Sequence, residues 1–237
     1  YPVHDFELFG KKRHAVSYSH LTGHVVGAYM TAPFAGDAAY CAVWDGGIPI
    51  RIYRVGPEGT DVSFIAQRGN LTGLIYGIMG YYAGPFANEE IKSRPAAPHR
   101  DEKLFGGRDK PGKLMSWIAK GELKPNILAE CNRQYDKLDG LPLQYAQTGE
   151  PEHNFMRGLM TACAGENDAD ILLAVHTFLE SLLVSELQDV VPQGSNLCFS
   201  GGCALNIKWN SALREAGWFK DVWVPPFPND SGSAIGM

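Results

Sequence analysis

The chain has 237 residues, 45% of them hydrophobic and 20% charged, an ordinary globular composition that excludes intrinsic disorder and leaves room for one large domain or two lobes. Its formal net charge of −5, with Lys11, Lys12 and Arg13 as the densest basic run, excludes a stripe that neutralises several nucleic-acid phosphates, so a small or sugar-like substrate is expected and a nucleic-acid partner is not. Five cysteines (Cys41, Cys131, Cys163, Cys198 and Cys203) without close C-x-x-C pairing exclude a zinc ribbon and a disulfide framework, and no apolar run approaches a membrane span of ~18 residues, so a soluble, cytoplasmic protein without a membrane partner is expected.

In chain order, apolar and small residues recur at helical spacing over 18–30, and Ala39 to Trp44 read as a short buried strand stopped by Asp45-Gly46-Gly47. Ile48 to Val55 and Val62 to Ala66, separated by a turn at Gly56 to Gly59, complete a β-meander. Leu71 to Tyr82 is helical again, and Glu89 to Gly112, charged and rich in proline and glycine, reads as an exposed loop or insertion of poor order. Between Asp168 and Val191, the residues Ile171, Val175, Phe178 and Leu182 recur every three or four positions, with Leu172, Leu179, Leu183 and Leu187 widening the stripe, which predicts the longest helix. A strand, Asn196 to Phe199, then passes through a tight Ser200-Gly201-Gly202 turn into a helix from about Ala204 to Ala216 and a further strand, Val222 to Pro225; that order is a nucleotide-binding arrangement. The chain opens on Tyr1 rather than methionine, and 231–237 stop in what reads as the opening turn of a helix, so a fragment is expected.

Four clusters can carry chemistry. His20 and His24 stand at i and i+4, so on a helix both rings can face one metal ion; alternatively they are two ordinary histidines. Asp45-Gly46-Gly47 follows an apolar strand, where glycines let backbone N–H groups approach a phosphate and the carboxylate can hold a metal or a metal-bound water, although Asp-Gly is also a common hairpin turn. Asp45 is therefore a catalytic as well as a phosphate-facing candidate. Ser200 to Asn206 delivers two glycines to a helix N-terminus, so Gly201→Val is expected to abolish ATP binding with the fold intact; the plain alternative is a turn that needs positive φ. Pro228 to Ala234 sets Asp230 among small residues, which also reads as an N-capped helix. His176, among apolar neighbours, is expected to be packed and hydrogen-bonded, whereas His14 and His153 stand in polar segments. His14, six residues before His20, is a tentative general base on reach alone, and Cys203, with no recognisable partner base, is read as a packing residue.

Together and in this order, over nearly the whole chain, these motifs resemble one family: the O-carbamoyltransferases of nodulation factors and antibiotics, related to hydrogenase-maturation and tRNA threonylcarbamoyl-transfer proteins. His20-Leu21-Thr22-Gly23-His24, continuing to Tyr29 and followed by Ala32-Pro33-Phe34, looks like the family's metal-binding helix and its Ser-Pro-Phe segment, with alanine in place of serine. Gly112-Lys113-Leu114-Met115 is similar to its Gly-Lys-x-Met element, Ser200 to Asn206 to its Ser-Gly-Gly-x-Ala-x-Asn signature, and Asp230 to Ala234 to its Asp-x-Gly-x-Ala. The chain departs from the pattern where Ser116-Trp117 follows Met115, and again where 91–109 look inserted; both bear on substrate choice. Leu21 stands where many relatives carry a second adjacent histidine, which leaves two histidine ligands.

The resemblance implies an α/β fold of the actin and hexokinase (ASKHA) type, two-lobed, with mixed sheets flanked by helices and the nucleotide between the lobes. Residues 1–237 would then be the N-terminal domain, without its first strands and without a C-terminal adenylating domain of the same protein. It implies Fe(II) or another divalent metal on His20, His24 and Asp230, phosphate on Asp45, Gly46, Gly47 and Lys113, and adenosine or its phosphates on Ser200, Gly201, Gly202 and Asn206. The implied reaction carries a carbamoyl group from carbamoyl phosphate and ATP, through carbamoyl-adenylate, to a hydroxyl of a small-molecule acceptor. Two alternatives stay open: a tRNA threonylcarbamoyl-type transferase, marked by steeply salt-dependent tRNA binding, and a nucleotide-binding regulatory module without turnover.

Overall fold

The structure, a computed structural model, describes residues 3–16, 18–93, 110–139 and 149–237. Its elements are β1 (Val3–Leu8), β2 (Lys11–Val16), α1 (His20–Met30), β3 (Ala39–Asp45), β4 (Ile48–Val55), β5 (Val62–Arg68), α2 (Leu74–Tyr82) and α3 (Glu89–Ser93). They continue with α4 (Lys110–Ile118), α5 (Pro125–Asp136), α6 (Glu150–Ala162), α7 (Asp168–Gln188), β6 (Asn196–Ser200), α8 (Ile207–Glu215), β7 (Val222–Trp223) and α9 (Asp230–Ser233).

Strand alternation sets the layers. In β3, Cys41 and Val43 turn to one face while Ala42 and Trp44 turn to the other, and all four are fully buried. On the first face they meet Leu21, Val25, Ala28 and Tyr29 of α1, together with Val55 and Cys198. On the second, Trp44, Ile50, Ile52, Leu197 and Phe199 pack against Ile75, Met79, Leu114, Ile127, Phe155, Leu179 and Trp209 from α2 and α4 to α8. Burial on both faces explains why Cys41 to Trp44 of β3 and Leu197 to Phe199 of β6 are apolar at successive rather than alternate positions. Each large side chain so buried contributes ~1.5–3 kcal/mol, and Trp44 stacks on Trp209 with ring centroids 5.1 Å apart.

The sheet order is β5-β4-β3-β6-β7: an antiparallel meander from β3 to β5, with β6 parallel to β3 and β7 parallel to β6. This mixed sheet with helices on both faces is the expected α/β fold of the actin and hexokinase type. β1 and β2 pair with each other in a separate hairpin. Among the described residues no helix is long and apolar enough to cross a membrane, and all five cysteines are free and buried.

Several local expectations change. The helix expected from Ala204 starts at Ile207, because Gly202–Leu205 first makes a 3₁₀ turn and the Asn206 side chain then caps the Lys208 and Trp209 N–H groups. Of the expected loop Glu89 to Gly112, residues 89–93 are helical and 110–112 open α4, while 94–109, and with them most of the expected insertion, lie outside the described residues.

His176 is packed as expected, its Nδ1 3.0 Å from the Tyr76 hydroxyl. His153, by contrast, is not in a polar segment: it is buried with Nδ1 2.8 Å from the Tyr82 hydroxyl. Burial, joined by Lys208, pushes His176 down to about 4. An unfolded imidazole takes up its proton near pH 6.5, so between about 6.5 and 4 the unfolded state binds more protons and stability falls as the pH drops. Calorimetry over this window should show a declining Tm, to which His176 contributes ~3 kcal/mol. The decline should be shallower in His176→Phe, and an unchanged slope would exclude this assignment.

Candidate metal centre

Three segments meet where β3 ends. His20 and His24, one turn apart on α1, face the end of that strand, and the alternation that turns Cys41 and Val43 toward α1 carries Asp45 to the same side. Ser200 follows Cys198 on β6 by the same rule. The third segment, 228–230, is brought in by α9 lying against α1, an approach so close that a Cβ on Gly23 would sit 2.5 Å from the Ser233 carbonyl oxygen.

His20 Nε2 lies 3.1 Å from Asp45 Oδ2, 3.1 Å from His24 Nε2 and 3.4 Å from Asp230 Oδ1. His24 Nε2 lies 3.5 Å from Asp230 Oδ1 and 3.8 Å from Asp45 Oδ2. One donor atom from each of His20, His24, Asp45 and Asp230 thus falls within 4.8 Å of all the others. Two imidazoles and two carboxylates converging at this spacing fit a first-row divalent cation.

The surrounding bonds prepare the donors. His24 Nδ1 lies 3.1 Å from the Pro228 carbonyl, which can only accept, so Nδ1 carries the proton and the Nε2 lone pair faces the cluster. The same carbonyl accepts from Ser200 Oγ at 3.1 Å and from the Gly201 N–H at 2.8 Å. Asp45 Oδ1 accepts from the Gly202 N–H at 2.6 Å, which leaves Oδ2 turned to the imidazoles. Burial pushes the Asp45 carboxyl up, but the Gly202 N–H, His20 and His24 outweigh it and hold the group below the usual carboxylate range. Burial also holds His24 below the ordinary imidazole value, against the pull of Asp45 and Asp230. A neutral His24 and an ionised Asp45 are the states a metal ligand requires.

The structure brings together His20, His24 and Asp230, the three donors implied by the resemblance, and places with them Asp45, which the sequence offered both for phosphate and for a metal or its bound water. The signal for this was in the strand pattern, since Asp45 shares a face with Cys41 and Val43. Gly46 and Gly47 make the two-residue turn between β3 and β4, with open space where side chains would project. Gly201 has φ 93°, and a side chain there would press into the Trp44 carbonyl. Gly201→Val therefore cannot leave the fold intact, contrary to expectation. The N–H groups of Gly201 and Gly202 are bonded within the protein, whereas among the described residues Asn206 Nδ2 is buried without a hydrogen-bond partner. His14 is not among the four converging donors: it lies in the β1–β2 hairpin, its side chain 82% exposed and 2.6 Å from Asp5. Lys113 is exposed on α4, which packs on α2 and α7. Burial, with Asp45 beside it, pushes the Cys203 thiol well up, so the packing reading of that residue stands.

Residues 8–237 match the family model described as the carbamoyltransferase N-terminus. The chain belongs to this carbamoyltransferase family. Nodulation protein U of Sinorhizobium fredii is 42% identical over 93% of this chain and 40% of its own length, and its namesake from Bradyrhizobium diazoefficiens is 38% identical over similar shares, 93% and 40%. The chain thus spans about two fifths of the length of these curated relatives. A shorter match, 54% identity over 46 residues, covers 19% of the chain and 9% of the 3′-hydroxymethylcephem-O-carbamoyltransferase of Amycolatopsis lactamdurans. Among solved structures, (R)-2-hydroxyglutaryl-CoA dehydratase component A of Acidaminococcus fermentans superposes with a TM-score of 0.52 at 16% identity, covering 92% of this chain and 66% of that one, a likeness in fold alone.

If Asp45 is a fourth donor of the carbamoyltransferase cluster, Asp45→Asn, which keeps the shape and removes the charge, should weaken Mn(II) binding to the full-length protein by at least about 10-fold in a calorimetric titration. A cluster of three donors predicts an unchanged affinity.

Proposed function

We propose that this chain is the metal- and nucleotide-handling part of an ATP-dependent O-carbamoyltransferase acting on a hydroxyl of a small molecule. The observation that carries the reading is the double use of Asp45, one carboxylate oxygen on the Gly202 N–H of the glycine turn and the other on the imidazole of His20. It joins the donor cluster to the turn that nucleotide-binding folds use.

His20, His24, Asp45 and Asp230 would hold a divalent cation, Fe(II) by ligand type, which when bound supplies Lewis-acid stabilisation of negative charge on a phosphate or carbamoyl oxygen. Asn206 Nδ2, buried without a partner among the described residues, offers a donor to the nucleotide. Gly201 and Gly202 keep side chains out of the turn while their N–H groups hold the centre together. Water would first cleave carbamoyl phosphate to carbamate and phosphate, and a carbamate oxygen would then attack the α-phosphorus of ATP and displace pyrophosphate to give carbamoyl-adenylate. The acceptor hydroxyl would then attack the carbamoyl carbon, lose its proton to a base and release AMP. Adenylation is assigned to a C-terminal domain of the same protein and transfer to this chain. The cephem relative, named for O-carbamoylation of a hydroxymethyl group, supports an oxygen acceptor. Five free, buried cysteines accord with a reducing cytoplasm.

Incubation of the full-length protein with ATP, carbamoyl phosphate and a divalent metal should release pyrophosphate and give carbamoyl-adenylate by mass spectrometry. His24→Ala should retain pyrophosphate release and lose carbamoyl transfer to a hydroxyl. ATP binding without pyrophosphate release would replace this reading with a regulatory nucleotide-binding module.

A further inference from the structure

Asp45 is held from its main-chain side by a segment that supplies no donor to the cluster. The Gly73 N–H donates to the Asp45 carbonyl at 2.9 Å and the Leu74 N–H to the Gly46 carbonyl at 2.8 Å. The Trp44 indole N–H donates back to the Leu71 carbonyl at 3.2 Å. The fit is close, since a Cβ on Gly73 would lie 2.7 Å from the Asp45 carbonyl oxygen and 2.9 Å from Cys203 Sγ.

Glu152, on α6, grips this segment from the opposite side. Its Oε1 accepts from the Thr72 N–H at 2.6 Å and from the Thr72 hydroxyl at 2.7 Å, and both residues are 0% exposed. Among the described residues its Oε2 is buried with no hydrogen-bond partner. Burial pushes the carboxyl up to about 6 against the two Thr72 bonds, so an ionised group here costs stability. An apolar side chain would pack α6 without that cost, whereas the carboxylate gives two short charge-assisted bonds to the residue directly before Gly73.

We propose that Glu152 is a positioning residue for Asp45: through Thr72 it fixes the Gly73 and Leu74 N–H groups, and with them the Asp45 main chain, so that Oδ2 stays aimed at the imidazoles of His20 and His24. The effect on metal binding rests on the reading of Asp45 as a donor; the mechanical link does not.

In the full-length protein, Glu152→Ala should speed hydrogen–deuterium exchange in the peptides carrying Gly73, Leu74 and Gly202 and should weaken Mn(II) affinity about 10-fold. Glu152→Gln, which keeps an acceptor oxygen for Thr72, should restore both to within about threefold. Leu159→Ala, two turns further along α6 in the apolar core, is the structural control: it should lower Tm and leave exchange in those peptides and Mn(II) affinity unchanged. The same exchange in these peptides for Glu152→Ala and Leu159→Ala at matched distance below Tm overturns the proposal. Faster exchange in Glu152→Ala with no Mn(II) bound even by the wild type upholds the link to Asp45 and overturns the metal reading of the centre.

Discussion

The carbonyl of Pro228 is the fixed point of the centre. It accepts from the His24 ring at 3.1 Å, the Ser200 hydroxyl at 3.1 Å and the Gly201 N–H at 2.8 Å, so one oxygen ties together α1, the end of β6 and the segment that leads to Asp230. These bonds orient the histidine, choose its tautomer and satisfy the first N–H of the glycine turn together. The positive φ of Gly201 follows from the same arrangement, because the turn must pass the Trp44 carbonyl on its way to Pro228.

Two acids, the half-buried Asp45 and the fully buried Glu152, show how donors decide the state of a carboxyl. Asp45 has the Gly202 N–H on one oxygen and imidazoles facing the other, and these outweigh the penalty of burial. Glu152 has the two Thr72 bonds, both on one oxygen, and burial prevails over them. The pair is linked through four residues of main chain, Leu71 to Leu74, so the outer acid sits two bonded steps from the inner one. The centre thus has a front, where its donors meet, and a back, where the core braces it.

Much of this was legible in the sequence because it depended on local pattern. The i, i+4 spacing of His20 and His24, the apolar run of β3, the long stripe of α7 and the glycine turn each stand within a few residues of one another. What escaped was set by distant contacts. Strand alternation put Asp45 on the face of Cys41 and Val43, but that α1 packs on this face, and so brings His20 and His24 to the carboxylate, is a fact of layer order that the sequence does not show. α5 and α6 carry buried Glu130, Gln134, Glu152 and His153 among their apolar residues, which blurs the periodic signal. His153 read as polar because its partner, Tyr82, lies far away in sequence. The tentative role of His14 rested on closeness to His20 along the chain, whereas the structure pairs its exposed ring with Asp5 in the hairpin.

The parallel pairing of β3 with β6 joins Ala39 to Asn196 and Val43 to Ser200, across nearly the whole length between them. During synthesis from the N-terminus, His20, His24 and Asp45 therefore leave the ribosome long before Ser200, Pro228 and Asp230 exist. Until β6 arrives, the nascent chain carries three strong ligands with nothing to set the tautomer of one or to hold the carboxylate of another. The closure of this long loop, a slow kind of contact, brings the four side chains into register, so that on the proposed metal reading selectivity would be acquired when β6 pairs with β3 rather than written in the first helix.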